Sequence, residues 1–233
     1  MFGIILEKNA RNYVYGNLHS IGDLKEQKID ANLHFDRSNV KICVLDDEGF
    51  DIDKIYALGY IRVERKLKFE NIGDYEKYDV ILCDIEGVGN EFDYTRQGLA
   101  VAEQIKEVYP DKIVLIYSGK NIEAYGNVPS NIDGVLNKVE STTELVKKID
   151  EFYKKAIDPI SVWERTRLQM LQAGIATKTI AVIEDQYCSS ILQKKEFLQI
   201  EKFDLCENEE IIEKYIIKLA NTIKVFFEVA GSV

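Results

Sequence analysis

The sequence predicts an α/β fold built on a parallel β-sheet with helices on both faces. Two observations predict it. Short, continuous runs of β-branched and other apolar residues recur along the chain, and helical patterns lie between them. Strands that are buried on both faces carry such continuous runs, and strands that alternate with helices are typical of a parallel sheet. The four runs cover residues 42–45, 80–83, 113–117 and 134–136.

One more strand, the second in chain order, and three helices complete the pattern. Residues 61–69 alternate apolar and polar side chains, which predicts a half-buried strand at an edge of the sheet. Ser141 and Glu144 have the spacing of a capping box at the start of a helix. Right-handed crossovers between parallel strands predict a doubly wound sheet with helices on both faces. The predicted helices cover residues 51–58, 95–109 and 141–156.

The pattern also predicts the domain organisation. Residues 2–6 and 12–15 are candidate strands of a hairpin that precedes the α/β domain. No strong strand pattern follows the last helix of that domain, so the end of the chain is predicted to be mainly helical. The three predicted parts are an N-terminal extension (1–39), the α/β domain (40–157) and a C-terminal helical segment (158–233).

The C-terminal segment contains two helical patterns, at residues 162–173 and 210–230. Trp163, in the first, is interpreted as a packing residue. The apolar stripe of the second pattern is wider than a surface helix needs. Two explanations remain open for this stripe, because it can pack onto its own domain or form an interface with a protein partner or a second copy of the chain.

Composition and charge argue against several classes of protein. The chain has 40 acidic and 30 basic residues and a net charge of −10, which disfavours nucleic-acid binding. Its apolar start is too short for a signal peptide, and no apolar run has the length of a membrane-spanning helix. No cysteines form a CxxC pair and no histidine lies near them, so we expect buried, reduced thiols in a cytoplasmic protein rather than a zinc site. The cysteines are Cys43, Cys83, Cys188 and Cys206.

Polar residues follow four of the predicted strands, at the point where each strand ends. Asp46 and Asp47 follow the first strand, Asp84 the third, Ser118 ends the fourth and Lys138 follows the fifth. Ligands of open parallel sheets bind beyond the carboxyl ends of the strands, so we expect these side chains to meet there. Each residue alone also has a simpler interpretation, as a helix cap, a turn residue or a surface lysine.

Together these side chains favour phosphoryl transfer to a carboxylate. Asp46, Asp47 and Asp84 repel one another when all three are ionised, and a divalent cation relieves that repulsion. Carboxylate ligands beside a phosphate suit Mg²⁺. In this interpretation Asp84 is the nucleophile, Lys138 neutralises phosphoryl oxygens and Ser118 donates a hydrogen bond to the bound phosphate.

This arrangement resembles the receiver domain of response regulators in two-component signalling, over residues 40–157. The resemblance implies a flavodoxin-like fold whose five strands have the order 2-1-3-4-5, in a phosphoprotein whose phosphoacceptor is Asp84, with Mg²⁺ held by Asp46, Asp47 and Asp84. It also implies a sensor histidine kinase as phosphodonor. No enzymatic activity is expected beyond self-catalysed aspartyl phosphorylation, with Ser118 and Lys138 as the assisting residues.

Several positions depart from the pattern of that family. The proline expected soon after the phosphoacceptor is missing, and the loop 85–97 is longer than usual. Glu86 stands where the family uses a backbone carbonyl as metal ligand. Val135 replaces an aromatic residue that usually reports the phosphorylated state, and Val139 follows Lys138 in place of proline.

These departures leave other functions open. One alternative is a pseudo-receiver, an interaction module with the same fold and no phosphorylation. A second is a Mg²⁺-dependent hydrolase of the haloacid-dehalogenase type. That type needs a second aspartate two residues after the nucleophile, where this chain has Glu86, and it carries the nucleophile on the first strand. The leading hypothesis is a response regulator that signals through protein contacts of residues 158–233, without nucleic acid or membrane as partner.

Overall fold

The computed structural model describes residues 18–27, 35–119, 127–195 and 209–230. It divides into two compact units. One unit consists of residues 36–156 and holds the sheet. In the other, residues 18–27 group with the C-terminal helices that begin after residue 156. The hairpin predicted at residues 2–15 lies outside the described residues.

The sheet has five parallel strands in the order β2-β1-β3-β4-β5, which confirms the predicted flavodoxin-like fold. The inner strands are continuous apolar runs because both of their faces are covered. Residues Ile42–Leu45 of β1, for example, are fully buried. On the edge strand β2 only Val63 is buried. The strands are β1 Lys41–Leu45, β2 Arg62–Lys66, β3 Val80–Cys83, β4 Ile113–Ser118 and β5 Gly134–Asn137.

Within the described ranges the chain forms seven α-helices. Those of the sheet unit lie within two residues of the predicted patterns, except at the start of one helix. The helix predicted from residue 95 begins at Gly98, because Asp93 Oδ1 accepts hydrogen bonds from the Thr95 and Arg96 N–H groups, both at 2.9 Å, and holds a turn there. The helices are α1 Ile21–Glu26, α2 Ile52–Tyr56, α3 Gly98–Val108, α4 Thr142–Ile157, α5 Pro159–Gln172, α6 Thr177–Gln193 and α7 Glu209–Ala230.

The second unit is a helical assembly with its own core. Trp163 of α5 is fully buried and stacks on Tyr187 of α6 at a ring-centroid distance of 5.6 Å, and Leu24 of α1 belongs to the same core. Trp163 is therefore a packing residue, as predicted. Glu184 of α6 accepts a hydrogen bond from the Ile21 N–H at 3.0 Å, which ties α1 to this unit.

Most of the wide apolar stripe of α7 is buried within this core, whereas Ile211 at its start is 39% exposed. The first explanation offered by the sequence therefore accounts for most of the stripe. Its buried members are Ile212, Ile216, Leu219, Ile223 and Phe226.

Helix α6 was missed by the sequence analysis. Its sequence contains threonine, isoleucine, valine, serine and cysteine residues, whose helix propensity is modest, so local preference does not mark it. Burial of its apolar face against α5 and α7 stabilises it instead.

Cys43, Cys83 and Cys188 are buried, as predicted, and Cys206 lies outside the described residues. Among the helices that the structure describes, none combines the length and the apolar character that a membrane span requires.

One glycine at the start of α3 is required by the packing of the sheet unit. A Cβ on Gly98 would lie 1.8 Å from the carbonyl oxygen of Asp84. Substitution Gly98→Ala must therefore displace either α3 or the end of β3. We expect it to lower the free energy of unfolding by about 1–3 kcal/mol or more, measured by urea denaturation.

Gly119→Ala is the matched control, because its Cβ would lie 3.6 Å from Lys138 Cβ, an ordinary contact. We expect the control to leave the urea midpoint nearly unchanged. Equal midpoints for wild type and Gly98→Ala would contradict the close approach of α3 to Asp84.

Candidate functional site

The register of β1 and β3 places Asp46 and Asp84 side by side. Leu45 pairs with Cys83, and each aspartate is the next residue of its strand. The Asp84 N–H donates to the Leu45 carbonyl at 2.9 Å, and the Asp46 N–H donates to the Lys66 carbonyl at 3.0 Å. The backbone of the sheet thus fixes both aspartates at its carboxyl edge.

The Asp47 carboxylate lies close to the carboxylates of Asp46 and Asp84. One carboxylate oxygen of each of Asp46, Asp47 and Asp84 lies within 4.8 Å of the other two. Asp46 and Asp84 are buried, whereas Asp47 is exposed. The structure therefore brings together the three carboxylates that the sequence analysis proposed as metal ligands. We call these three residues and Lys138 the acidic cluster.

Lys138 makes ion pairs with both buried carboxylates. Its Nζ lies 2.8 Å from Asp46 Oδ2 and 2.5 Å from Asp84 Oδ2. The Lys138 N–H donates to the Ser118 carbonyl at 3.1 Å, which extends the pairing of β4 and β5 to this residue. One ammonium group is thus shared by two carboxylates at the sheet edge.

The two oxygens of Asp46 have different surroundings. Oδ1 accepts hydrogen bonds from the Glu48 and Gly49 N–H groups, both at 3.0 Å. Oδ2 is buried and takes no aligned hydrogen bond; its contact with Lys138 is an ion pair. A buried, charged oxygen without a hydrogen bond is unfavourable on its own, and a cation satisfies it.

Ser118 lies at the same edge of the sheet. It is buried and ends β4, two residues after Ile116, the partner of Cys83. All five residues proposed from the sequence are therefore found at the carboxyl ends of neighbouring strands.

The loop that follows Asp84 packs against Asp47. Ile85 and Val88 anchor this loop, because both are fully buried. Gly87, between them, has φ +72°, and a Cβ there would lie 1.9 Å from Asp47 Oδ2. Only glycine fits this position. Glu86 is not among the carboxylates of the acidic cluster.

Burial and the shared ammonium shift the pKa values of the cluster in different directions. Burial raises the pKa of Asp84, and Lys138 only partly offsets this rise. Burial also acts to raise the pKa of Asp46, but Lys138 and the N–H groups of Gly49 and Glu48 outweigh it, so this pKa is lowered. For Lys138 burial is outweighed by the two carboxylates, which raise its pKa.

The charges of the acidic cluster suit a divalent cation. Three carboxylates and one ammonium, when ionised, leave two negative charges without compensation. Oxygen ligands beside a position open to water and phosphate are the environment in which proteins hold Mg²⁺. Asp46 Oδ2, which shares the Lys138 ammonium with Asp84, and the exposed Asp47 carboxylate are the oxygens nearest to hand for such an ion.

Sequence reasoning missed an aromatic pair beside the cluster. The ring of Tyr117 lies 5.4 Å from Lys138 Nζ, and the ring of Phe50 contacts it edge-on at a centroid distance of 5.4 Å. The sequence contained one indication of this contact, because Tyr117 directly precedes the proposed site residue Ser118.

Comparison with known proteins gave matches only among solved structures; no family model and no curated protein matches. A CheY-like receiver domain protein from Methanospirillum hungatei is 19% identical over 50% of this chain and 95% of its own, with a TM-score of 0.40. Response regulator TrrA from Thermotoga maritima, in complex with Mg²⁺ and beryllium fluoride, is 21% identical. The match covers 48% of this chain and 98% of TrrA, with a TM-score of 0.39. A response regulator receiver protein from Sinorhizobium medicae is 19% identical. The match covers 50% of this chain and 96% of the other, with a TM-score of 0.38.

The opposite pKa shifts of the two buried aspartates predict opposite effects of neutralising them. The pKa of Asp84 is higher in the folded than in the unfolded protein, so its ionisation costs stability above the unfolded value of about 4. We expect Asp84→Asn to raise the thermal midpoint at pH 7. The gain should shrink as the pH falls towards 4. Thermal denaturation between pH 4 and 8 measures it.

Asp46→Asn is the matched comparison. The pKa of Asp46 is lower in the folded protein, so its charge contributes stability above the unfolded pKa that is lost as the pH falls through the folded pKa. Asp46→Asn should therefore lower the thermal midpoint at pH 7. Shifts of the same sign for the two variants would contradict this description of the cluster.

Proposed function

We propose that residues 36–156 form the receiver domain of a response regulator that accepts a phosphoryl group on Asp84 in the presence of Mg²⁺. The observation that carries the proposal is the position of the Asp84 carboxylate. It lies at the carboxyl edge of the sheet, paired with Lys138 at 2.5 Å and grouped with two further carboxylates. The resemblance of the sequence to receiver domains supports it, since the same residues carry that resemblance.

Each residue of the acidic cluster has a role in this reaction. An oxygen of Asp84 attacks phosphorus, a new P–O bond forms, and the bond from phosphorus to the donor breaks, so that the leaving group departs with the electron pair. Bound Mg²⁺, held by Asp46, Asp47 and Asp84, would supply positive charge to the phosphoryl oxygens. The Lys138 ammonium stays at the site and pairs with the phosphoryl group, and the Ser118 hydroxyl donates to one of its oxygens.

The proposal includes a sensor histidine kinase as phosphodonor and a protein partner, or a second copy of the chain, as the receiver of the signal, in the cytoplasm. Output would pass through residues 158–233. The apolar stripe of α7 is occupied within its own unit, so contacts with a partner would use exposed side chains such as Leu168 of α5 and Ile217 of α7.

A second candidate is a pseudo-receiver that binds partners without phosphorylation. The side chain of Val135 on β5 favours it, because it is 41% exposed and has no ring to turn inward when Ser118 engages a phosphate. This candidate shares the fold but predicts no covalent adduct, so a single labelling experiment separates the two.

Phosphate uptake from acetyl phosphate tests the proposal. We expect the full chain with Mg²⁺ to gain the mass of one phosphoryl group, and hydroxylamine to remove it, because an aspartyl phosphate is an acyl phosphate. Asp84→Asn should abolish the adduct. Intact-mass spectrometry measures both, and a trapped hydroxamate should map to Asp84.

Two control variants sharpen this experiment. Asp79→Asn changes an aspartate that precedes β3, at the opposite end of the strand from Asp84, where it accepts from the Lys41 N–H at 2.8 Å. It should keep the adduct. Asp47→Ala should raise the Mg²⁺ concentration needed for labelling, whereas Asp53→Ala, an exposed aspartate of α2, should not. If wild type takes up no phosphate and does not respond to Mg²⁺, the pseudo-receiver is the correct function.

A further inference from the structure

An aromatic pair lies beside the acidic cluster, and the proposed reaction assigns it no role. Phe50 is in the loop after β1 and is nearly buried, while Tyr117 is on β4. Their ring planes meet at 73° with a centroid distance of 5.4 Å, an edge-to-face contact. Tyr117 is the one residue of β4 that is only half-buried, and its ring lies beside Lys138 of the cluster.

The Tyr117 ring contacts the Lys138 ammonium. Lys138 Nζ lies 5.4 Å from the ring centroid, within the range in which the negative face of an aromatic ring attracts a cation. Lys138 therefore has three attractive neighbours, the carboxylates of Asp46 and Asp84 and the ring of Tyr117. Phosphorylation would convert the Asp84 carboxylate into an acyl phosphate, but it would leave the ring unchanged.

A further neighbour narrows the positions that a lysine ammonium can take. Its four-carbon chain has several rotatable bonds, and fixing them costs conformational entropy. A ring held by an edge-to-face partner restricts the positions open to Nζ before the phosphodonor arrives. Prior positioning of a charged group lowers the barrier of the step in which it acts.

We propose that Tyr117 is a positioning residue that holds Lys138 Nζ at Asp84, and that Phe50 fixes the Tyr117 ring. This inference rests on the proposed function, because it assigns Tyr117 a role in phosphate uptake by Asp84. It concerns the face of the ring and not the phenol hydroxyl.

The first test compares two substitutions of Tyr117. Tyr117→Leu removes the ring, and we expect the initial rate of phosphate uptake from acetyl phosphate to fall about three- to tenfold. Tyr117→Phe keeps the ring face and should retain most of the rate. Equal losses in the two variants would overturn the proposal, because they would implicate the hydroxyl or general packing.

Tyr78→Leu controls for loss of a tyrosine from the core. Tyr78 also has a lysine over its ring, Lys77 at 4.9 Å, but it lies before the start of β3, away from Asp84. This control should keep the wild-type rate of uptake at a temperature at which it is folded. A rate loss as large as that of Tyr117→Leu would overturn the proposal.

A double-mutant cycle then tests whether Tyr117 acts through Lys138. If it does, Tyr117→Leu should have little further effect on the rate in the Lys138→Ala background, since no ammonium remains to be positioned. The same fold loss in both backgrounds would show that Tyr117 acts independently of Lys138, and would overturn the inference.

The cycle also has a readout that does not require phosphorylation. Because the contact exists in the unmodified protein, Tyr117→Leu should lower the urea midpoint more in wild type than in Lys138→Ala. Absence of phosphate uptake by wild type would defeat the proposed function, whereas additive shifts of the midpoint would defeat the placement of Tyr117 against Lys138.

Discussion

Sharing of one ammonium group by two buried carboxylates is the interaction on which the site depends. Lys138 Nζ contacts Asp46 Oδ2 and Asp84 Oδ2, and both carboxylates are almost wholly removed from solvent. A single cation cannot neutralise both of them and Asp47 as well. The cluster therefore keeps an excess of negative charge within a buried edge of the sheet, and a second, divalent cation would balance it.

The sheet holds this unfavourable arrangement in place. Asp46 and Asp84 directly follow β1 and β3, whose residues are almost all buried, and Lys138 directly follows β5, so these three charges cannot separate without disrupting the ladder. Two glycines let the backbone close around the cluster, since a side chain on Gly87 would collide with the Asp47 carboxylate and one on Gly98 with the Asp84 carbonyl. The loop after Asp84 and the start of α3 are thereby fitted to the site, and changes at either glycine act on it directly.

The sheet and most of the acidic cluster could be predicted from the sequence, because the inner strands are continuous apolar runs and the charged residues of the cluster follow those runs. The meeting of Asp46, Asp84 and Lys138 follows from their positions after the strands of a parallel sheet, and the strand order follows from the resemblance to receiver domains. Contacts between residues distant in sequence could not be predicted. The grouping of α1 with the C-terminal helices, the contact of the Tyr117 ring with Lys138, and helix α6, which packing stabilises more than propensity, belong to this class.

The most direct test of the proposed cation-binding phosphoacceptor site is an NMR titration with Mg²⁺ followed by beryllium fluoride, a mimic of the phosphoryl group. The Gly49 amide donates to Asp46 Oδ1 at 3.0 Å and the Ile85 amide to Asp84 Oδ1 at 2.7 Å, so both report on the cluster. The account predicts saturable shifts of these two amides with Mg²⁺, and a further shift with beryllium fluoride only when Mg²⁺ is present. Amides that stay unchanged through both additions, in a protein that remains folded, would contradict it.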